Sequence, residues 1–263
     1  MKFWRRGGKA EPMQGHFQSA GVSLAFETQG EGEAVVLVHG FASNLATNWR
    51  TPGILKALAE AGFLAAALDL RGHGASDRPR EPGAYSLDAM AGDVERFIAH
   101  LGVERPHLVG YSMGSRILMR LLTTRPQPAR SVILGGAGSG IGEFNPDWSE
   151  RIAEALLTAD VGKITDRVAR RFRLFAESQG NDLRALAQCI REAIEPIDLS
   201  LLARITVPAL VLAGAEDDQI TDPEGLAQRI PGARTEFIPN RNHMTIIGDA
   251  RFRQAIVSFV KSH

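Results

Sequence analysis

The sequence predicts an α/β fold, a mostly parallel central sheet flanked by helices, and three observations carry that expectation. Short apolar runs at 34–38, 63–70, 107–110, 131–134, 207–213 and 235–238, several β-branched and closed by turn residues, read as buried strands. Helix-period patterns lie between many of them, at 52–61, 86–101 and 115–122. One segment, 140–204, holds three helix-period stretches and no credible strand, so it reads as a helical insertion between two strands. Strand and helix alternate in this way when parallel strands are joined by helical crossovers.

Taken in order, the chain starts with the basic stretch Met1-Lys2-Phe3-Trp4-Arg5-Arg6. No apolar run follows it, so an export signal is not expected, and residues 1–20 read as a flexible leader. Residues 17–26 read as two short strands around a glycine turn, able to supply an antiparallel edge. The 86–101 helix repeats apolar residues at Leu87, Met90, Val94, Phe97 and Ile98. In the insertion the helical periods are marked by Trp148/Ile152/Leu156, Ile164/Val168/Phe172 and Leu183/Leu186/Ile190. Their apolar faces either pack on the main domain or also roof a pocket. An amphipathic helix over 251–260 closes the chain. The expected division is therefore the leader, a core made of 21–139 and 205–263, and the insertion at 140–204.

A chain of 263 residues is long enough for one large domain with its own core. Hydrophobic residues at 44% and charged residues at 23% are ordinary for a globular protein. A net charge of +0 gives no broad positive field, so neither nucleic acid nor an anionic membrane is an expected partner. The single cysteine, Cys189, cannot form an intramolecular disulfide and reads as a small apolar side chain on a helix. No run approaches the roughly 18 apolar residues of a spanning helix, and a soluble cytoplasmic protein is the expectation. A homo-oligomer is left open.

The chemistry starts at Gly110-Tyr111-Ser112-Met113-Gly114, a Gly-x-Ser-x-Gly pentapeptide. Alone the motif is short, but a strand-like run enters it and a helix-period run leaves it, the strand, tight turn and helix it requires. Glycines on either side leave room for close packing while the serine hydroxyl projects above the sheet. Ser112 is the expected nucleophile. A hydroxyl needs a base, and among seven histidines His243 is expected to serve, in the loop between the last strand and the last helix. His39 and His73 precede glycines in turns and read as loop braces. His16, His100, His107 and His263 read as solvated or locally satisfied. A carboxylate must orient the base, and Gly214-Ala215-Glu216-Asp217-Asp218 follows a strand. Asp217 is preferred by its spacing from Gly214. Asp218 stays open as the alternative, because the nearby Ile220 can anchor it. Backbone N–H groups of Met113, at a helix start, and Phe41, after the His39-Gly40 turn, are candidate oxyanion donors.

These segments, together with Asp69-Leu70-Arg71-Gly72-His73-Gly74-Ala75-Ser76, resemble the α/β-hydrolase superfamily from Val22 to the C-terminus. The order Ser112, Asp217, His243 is similar to that family's Ser, Asp, His order. The acid loop departs from the usual pattern, with Gln219 where an apolar residue is common. The resemblance implies that 140–204 is a helical cap over the site. It also implies a serine hydrolase without a cofactor or metal, and Ser112 excludes a dehalogenase, which needs a carboxylate at the elbow. Ile152, Leu156, Phe172 and Phe175 in the cap favour small or medium acyl groups, so a small-molecule carboxylic ester is the expected substrate. Lactones, thioesters, carbon–carbon bonds and peracid formation use the same triad and stay as alternatives. Arg167, Arg170, Arg171 and Arg173 read as a solvated helix face rather than an acid-binding clamp. The Gly135–Gly142 run never satisfies Gly-x-Gly-x-x-Gly and reads as a flexible strand exit. No Gly-Lys-Ser/Thr loop, His-Glu-x-x-His or cysteine pair supports nucleotide or metal chemistry. A non-catalytic binding module on the same fold is the remaining class.

Overall fold

Eight strands make one sheet in a computed structural model of the chain, which describes residues 12–125, 129–143 and 145–263. The first two, β1 (Met13–Ser19) and β2 (Val22–Gln29), form an antiparallel hairpin. Its two turn residues, Ala20 and Gly21, both have positive φ (50° and 83°), the turn geometry that matches the twist of paired strands. The other strands are β3 (Glu33–Val38), β4 (Phe63–Leu68), β5 (His107–Tyr111), β6 (Ser131–Gly135), β7 (Ala209–Gly214) and β8 (Arg234–Ile238). They run parallel to one another, while β2 pairs antiparallel with β4. The order across the sheet is β1-β2-β4-β3-β5-β6-β7-β8. The chain thus leaves β3 toward one side and reaches β5 on the other. At such a switch point the connections diverge and leave a crevice above the strand ends.

Alternate residues of β3 face opposite sides, and each side carries its own core. Val36 and Val38 pack with helices α2 (Leu87–Leu101), α3 (Met113–Thr124) and α7 (Pro223–Gln228). Val35 and Leu37 pack with α1 (Ile54–Glu60) and α8 (Ala250–Lys261). Between β6 and β7 the insertion forms α4 (Pro146–Leu157), α5 (Arg167–Ser178) and α6 (Leu183–Glu192). Ile152, Leu156, Leu186 and Ile190 bury against one another and against Ala42, in the loop after β3. Among the described residues no helix is long and apolar enough to cross a membrane.

Several local expectations change. The leader expected over 1–20 is β-strand from Met13, because its backbone pairs with β2; residues 1–11 lie outside the described residues. Ile164 falls outside α5, because Asp166 caps that helix by accepting from the Val168 and Ala169 N–H groups. The exit after β6 is a built turn rather than a flexible one: the Ser139 N–H donates to the Asp222 carbonyl (3.1 Å), and a side chain at Gly138 would strike the Thr221 carbonyl. Of the two readings of His107, solvated or locally satisfied, the second holds at Nδ1, which lies 2.8 Å from Ser131 Oγ in a buried ring.

Two buried polar groups fix the turn after β4. Arg71 donates from Nε and Nη2 to both oxygens of Asp93 (2.6 Å each) and from Nη1 to the Ala84 carbonyl (2.7 Å). Ser19 Oγ donates to the same carboxylate (2.5 Å), so hairpin, turn and α2 meet at one ion pair. Removing one member of a buried pair strands the other, at a cost of about 3–5 kcal/mol. Asp93→Asn is expected to lower the unfolding free energy by that amount in urea titration. Loss of the exposed Arg120–Asp88 pair through Arg120→Ala is expected to cost under about 1 kcal/mol.

His39 and His73 act as acceptors: the Leu70 N–H donates to His39 Nε2 (3.0 Å) and the Ala42 N–H to His73 Nε2 (3.1 Å). Imidazolium has no acceptor, so the folded protein holds both neutral. Burial pulls His39 down to about 4, and burial with the nearby His39 pulls His73 down to about 3, against an ordinary 6.5. The unfolded chain therefore binds more protons below pH 6.5, and stability, full above that pH, falls as pH drops toward 4. Burial brings His107 to about 4 with the same sign, whereas Asp69, raised by burial, opposes the trend in the more acidic part of the window. For the fully buried pair, linkage gives about 2 kcal/mol each for His39 and His73 at pH 5. Urea midpoints measured from pH 7 to pH 5 are expected to fall steeply, with a shallower slope in His73→Gln.

Candidate active site

Ser112 follows β5 and caps α3 with φ 52° and ψ −112°, a conformation that L-residues adopt only under constraint. The constraint is packing on both sides. A side chain at Gly110 would strike the Gly114 backbone, and one at Gly114 would strike the Val38 carbonyl. The Ser112 N–H donates to the Gly135 carbonyl of β6 at 2.8 Å, which pins the turn to its other neighbour.

His243 follows β8 in a loop shaped by Asn242, whose Oδ1 accepts from the Met244 and Thr245 N–H groups (3.1 Å each). His243 is buried, with Nε2 at 3.0 Å from Ser112 Oγ and Nδ1 at 2.8 Å from Asp217 Oδ2. A carboxylate only accepts, so Nδ1 carries the proton and Nε2 is left to accept from the hydroxyl. The second oxygen of Asp217 accepts from the Gln219 N–H at 3.0 Å. Of the two candidate acids it is therefore Asp217 that meets the histidine. Asp218, the next residue, is exposed on the cavity wall.

The loop after β3 completes the floor. A side chain at Gly40 would come within 3.4 Å of Ser112 Cβ, so Phe41 stands beside the elbow. Its conformation is held by side chains: Asn48 Oδ1 accepts the Gly40 N–H (2.9 Å), His73 accepts the Ala42 N–H, and Asn181 Nδ2 donates to the Ala42 carbonyl (2.7 Å). Met113 begins α3, where the first N–H groups have no carbonyl one turn back. Phe41, Ser112, Met113 and His243 share the wall of one cavity of about 630 Å³, roofed in part by Trp148, Phe172 and Phe175.

Sequence reasoning missed four side chains here. Tyr111, the second residue of the pentapeptide, donates from its hydroxyl to the His243 carbonyl (2.5 Å) and lays its ring beside the imidazole, at 5.2 Å between centroids. Asn181, from the turn between α5 and α6, also accepts the Gly74 N–H (3.2 Å), and so links the insertion to two loops of the core. Asn48 and Arg116 are the others, and Arg116 lines the cavity wall. The arginine stretch of α5 divides: Arg167 and Arg170 are exposed, Arg171 is exposed at the cavity, and Arg173 is buried. Arg173 donates to the last carbonyls of α4, at Ala155 (3.0 Å), Leu156 (3.1 Å) and Thr158, a helix-capping role the solvated-face reading did not foresee.

A family model described as alpha/beta hydrolase fold matches residues 33–196. The dihydrolipoyllysine-residue acetyltransferase component of the acetoin cleaving system of Pseudomonas putida is 32% identical over 90% of the chain and 66% of that protein. The chain spans 63–66% of the length of the first curated relatives it matches. 3-oxoadipate enol-lactonase 2 of Acinetobacter baylyi is 26% identical over 91% of the chain and 94% of its own length. Among solved structures, a hydrolase from Pseudomonas aeruginosa PA01 superposes with a TM-score of 0.77 at 28% identity, covering 94% of this chain and 98% of that one. With the sheet order, the elbow and a family match over more than half its length, the chain belongs to the α/β-hydrolase fold family.

Proposed function

We propose that the protein is a serine hydrolase that cleaves carboxylic esters of small to medium acyl groups through an acyl-enzyme. The observation that carries the proposal is the hydrogen-bonded series Ser112–His243–Asp217 opening on a largely apolar cavity. Ser112 Oγ attacks the ester carbonyl while His243 Nε2 takes its proton; Asp217 holds the imidazole in the accepting tautomer and stabilises the imidazolium. The Met113 and Phe41 N–H groups donate to the developing oxyanion. His243 returns the proton to the leaving alcohol, then takes one from the water that cleaves the acyl-enzyme.

In this reading residues 140–204 act as a cap. Phe172 bridges it to the floor, with its ring 5.9 Å from Phe41 and 5.8 Å from Trp148, and this apolar wall favours aliphatic acyl chains at that place. Cyclic esters are the second reading, favoured by the enol-lactonase relative, which matches along nearly its whole length.

A p-nitrophenyl ester series of rising acyl length tests both chemistry and pocket. Ser112→Ala is expected to abolish turnover. Asp217→Asn is expected to lower kcat by about 10³–10⁴, since it leaves the histidine in the wrong tautomer, and Asp218→Asn by less than about tenfold. Equal loss in the two aspartate variants, or turnover surviving in Ser112→Ala, contradicts the assignment.

A further inference from the structure

We infer that Arg116 is an anion-recognition residue of the cavity, and that the substrate cleaved at Ser112 carries a carboxylate away from the scissile carbonyl. The inference rests on the serine-hydrolase reading for the reaction, but its own evidence is separate. Arg116 lies one helical turn after Ser112, on the same face of α3, and lines the same cavity. Among the described residues no carboxylate stands within ion-pair distance of it, although Arg71, Arg120, Arg125, Arg173 and Arg191 each have one. Its hydrogen bonds go to neutral carbonyls: Nη2 to Glu195 at 2.5 Å and Nη1 to Ile141 at 3.4 Å. Nε is shut off from solvent with no partner.

A guanidinium in such surroundings is costly, and burial pulls it down to about 10, with the Glu195 carboxylate opposing; at neutral pH it is still charged. Three other charged residues line the cavity, Glu143, Arg171 and Asp218, and all three are exposed, where solvent screens them. Arg116 is thus the one largely shielded charge on the described wall, with donors to spare in a planar fork that fits a carboxylate. The two carbonyls it meets lie on either side of helices α4–α6, which also allows a bracing role, and the two roles make different predictions.

The discriminating measurement uses two p-nitrophenyl esters of equal length, the hemiester of glutaric acid and its methyl-capped analogue, and reads the ratio of their kcat/KM values. The wild type is expected to favour the free carboxylate, and Arg116→Gln to reduce that preference about tenfold or more, chiefly through KM of the hemiester, with Arg116→Lys restoring part of it. A ratio unchanged by Arg116→Gln, whatever happens to the absolute rates, assigns a brace and overturns the inference. Calorimetric binding of glutarate to wild type and Arg116→Gln judges the arginine even if neither ester is cleaved. Glutarate binding lost with the arginine upholds it, while equal or absent binding in both rejects it. Failure to cleave either ester counts against the hydrolase reading alone.

Discussion

The site depends on one close approach, that of the first turn of α3 to the end of β3, where Gly114 lies directly over the Val38 carbonyl. No side chain larger than hydrogen fits between them. That contact sets how sharply the chain reverses at Ser112, and so it sets the positive φ of a residue that has a side chain. A strained backbone of this kind costs on the order of 1–3 kcal/mol and persists only where its surroundings over-determine it. Here they do: β3 lies on one side of β5, and β6 on the other takes the Ser112 N–H on the Gly135 carbonyl. The sheet order adds the crevice, because β3 and β5 are the neighbours from which the chain diverges.

Around this rigid elbow, the loops that face the cavity are held mostly by polar side chains rather than by regular secondary structure. Asp69 accepts the Leu45 N–H (2.7 Å) and the Ala75 N–H (2.9 Å), while His39 accepts at Leu70 and His73 at Ala42. Loops buried under an insertion cannot give their N–H groups to water, so each needs a fixed acceptor. Neutral imidazole is suited to that task only while it stays unprotonated. The side chains that shape the loop beside Ser112 therefore also tie the stability of the core to pH.

Much of this architecture was legible in the sequence, because strands buried on both faces are apolar throughout and the crossover helices have a clear period. The residues that the chemistry singled out, Ser112, Asp217 and His243, are also those the fold brings within hydrogen-bonding distance of one another. What was illegible is what depends on partners far along the chain. Asn181 meets a carbonyl 139 positions away, Tyr111 one 132 away and Arg116 one 79 away, and no local pattern encodes such pairings. The strand character of Met13–Ser19 is of the same kind, since only pairing with β2 distinguishes it from a polar leader. The two acids differ by one position, and the choice falls on which carboxylate the Gln219 N–H and the imidazole can both reach.

The insertion is joined to the loop that carries Phe41 by a small set of polar contacts. Ala42 gives its N–H to His73 and its carbonyl to Asn181, while Gln179, at the end of α5, accepts from Thr47 Oγ1 and Asn44 Nδ2. The turn from 179 to 181 is thus bonded to the loop that carries Phe41. The Asn181 amide partners a buried carbonyl at Ala42 and a half-buried N–H at Gly74, and leaving the buried one unpaired would cost about 1–3 kcal/mol. The link between α4 and α5 has no comparable tether among the described hydrogen bonds to the core; Asp160 and Asp166 there cap their own turns. Among the described hydrogen bonds the insertion is therefore tied to the core at its 179–181 turn and not at the link between α4 and α5. The loop that carries Phe41, beside Ser112, is thus held from two sides, by His73 of the core and by Asn181 of the insertion.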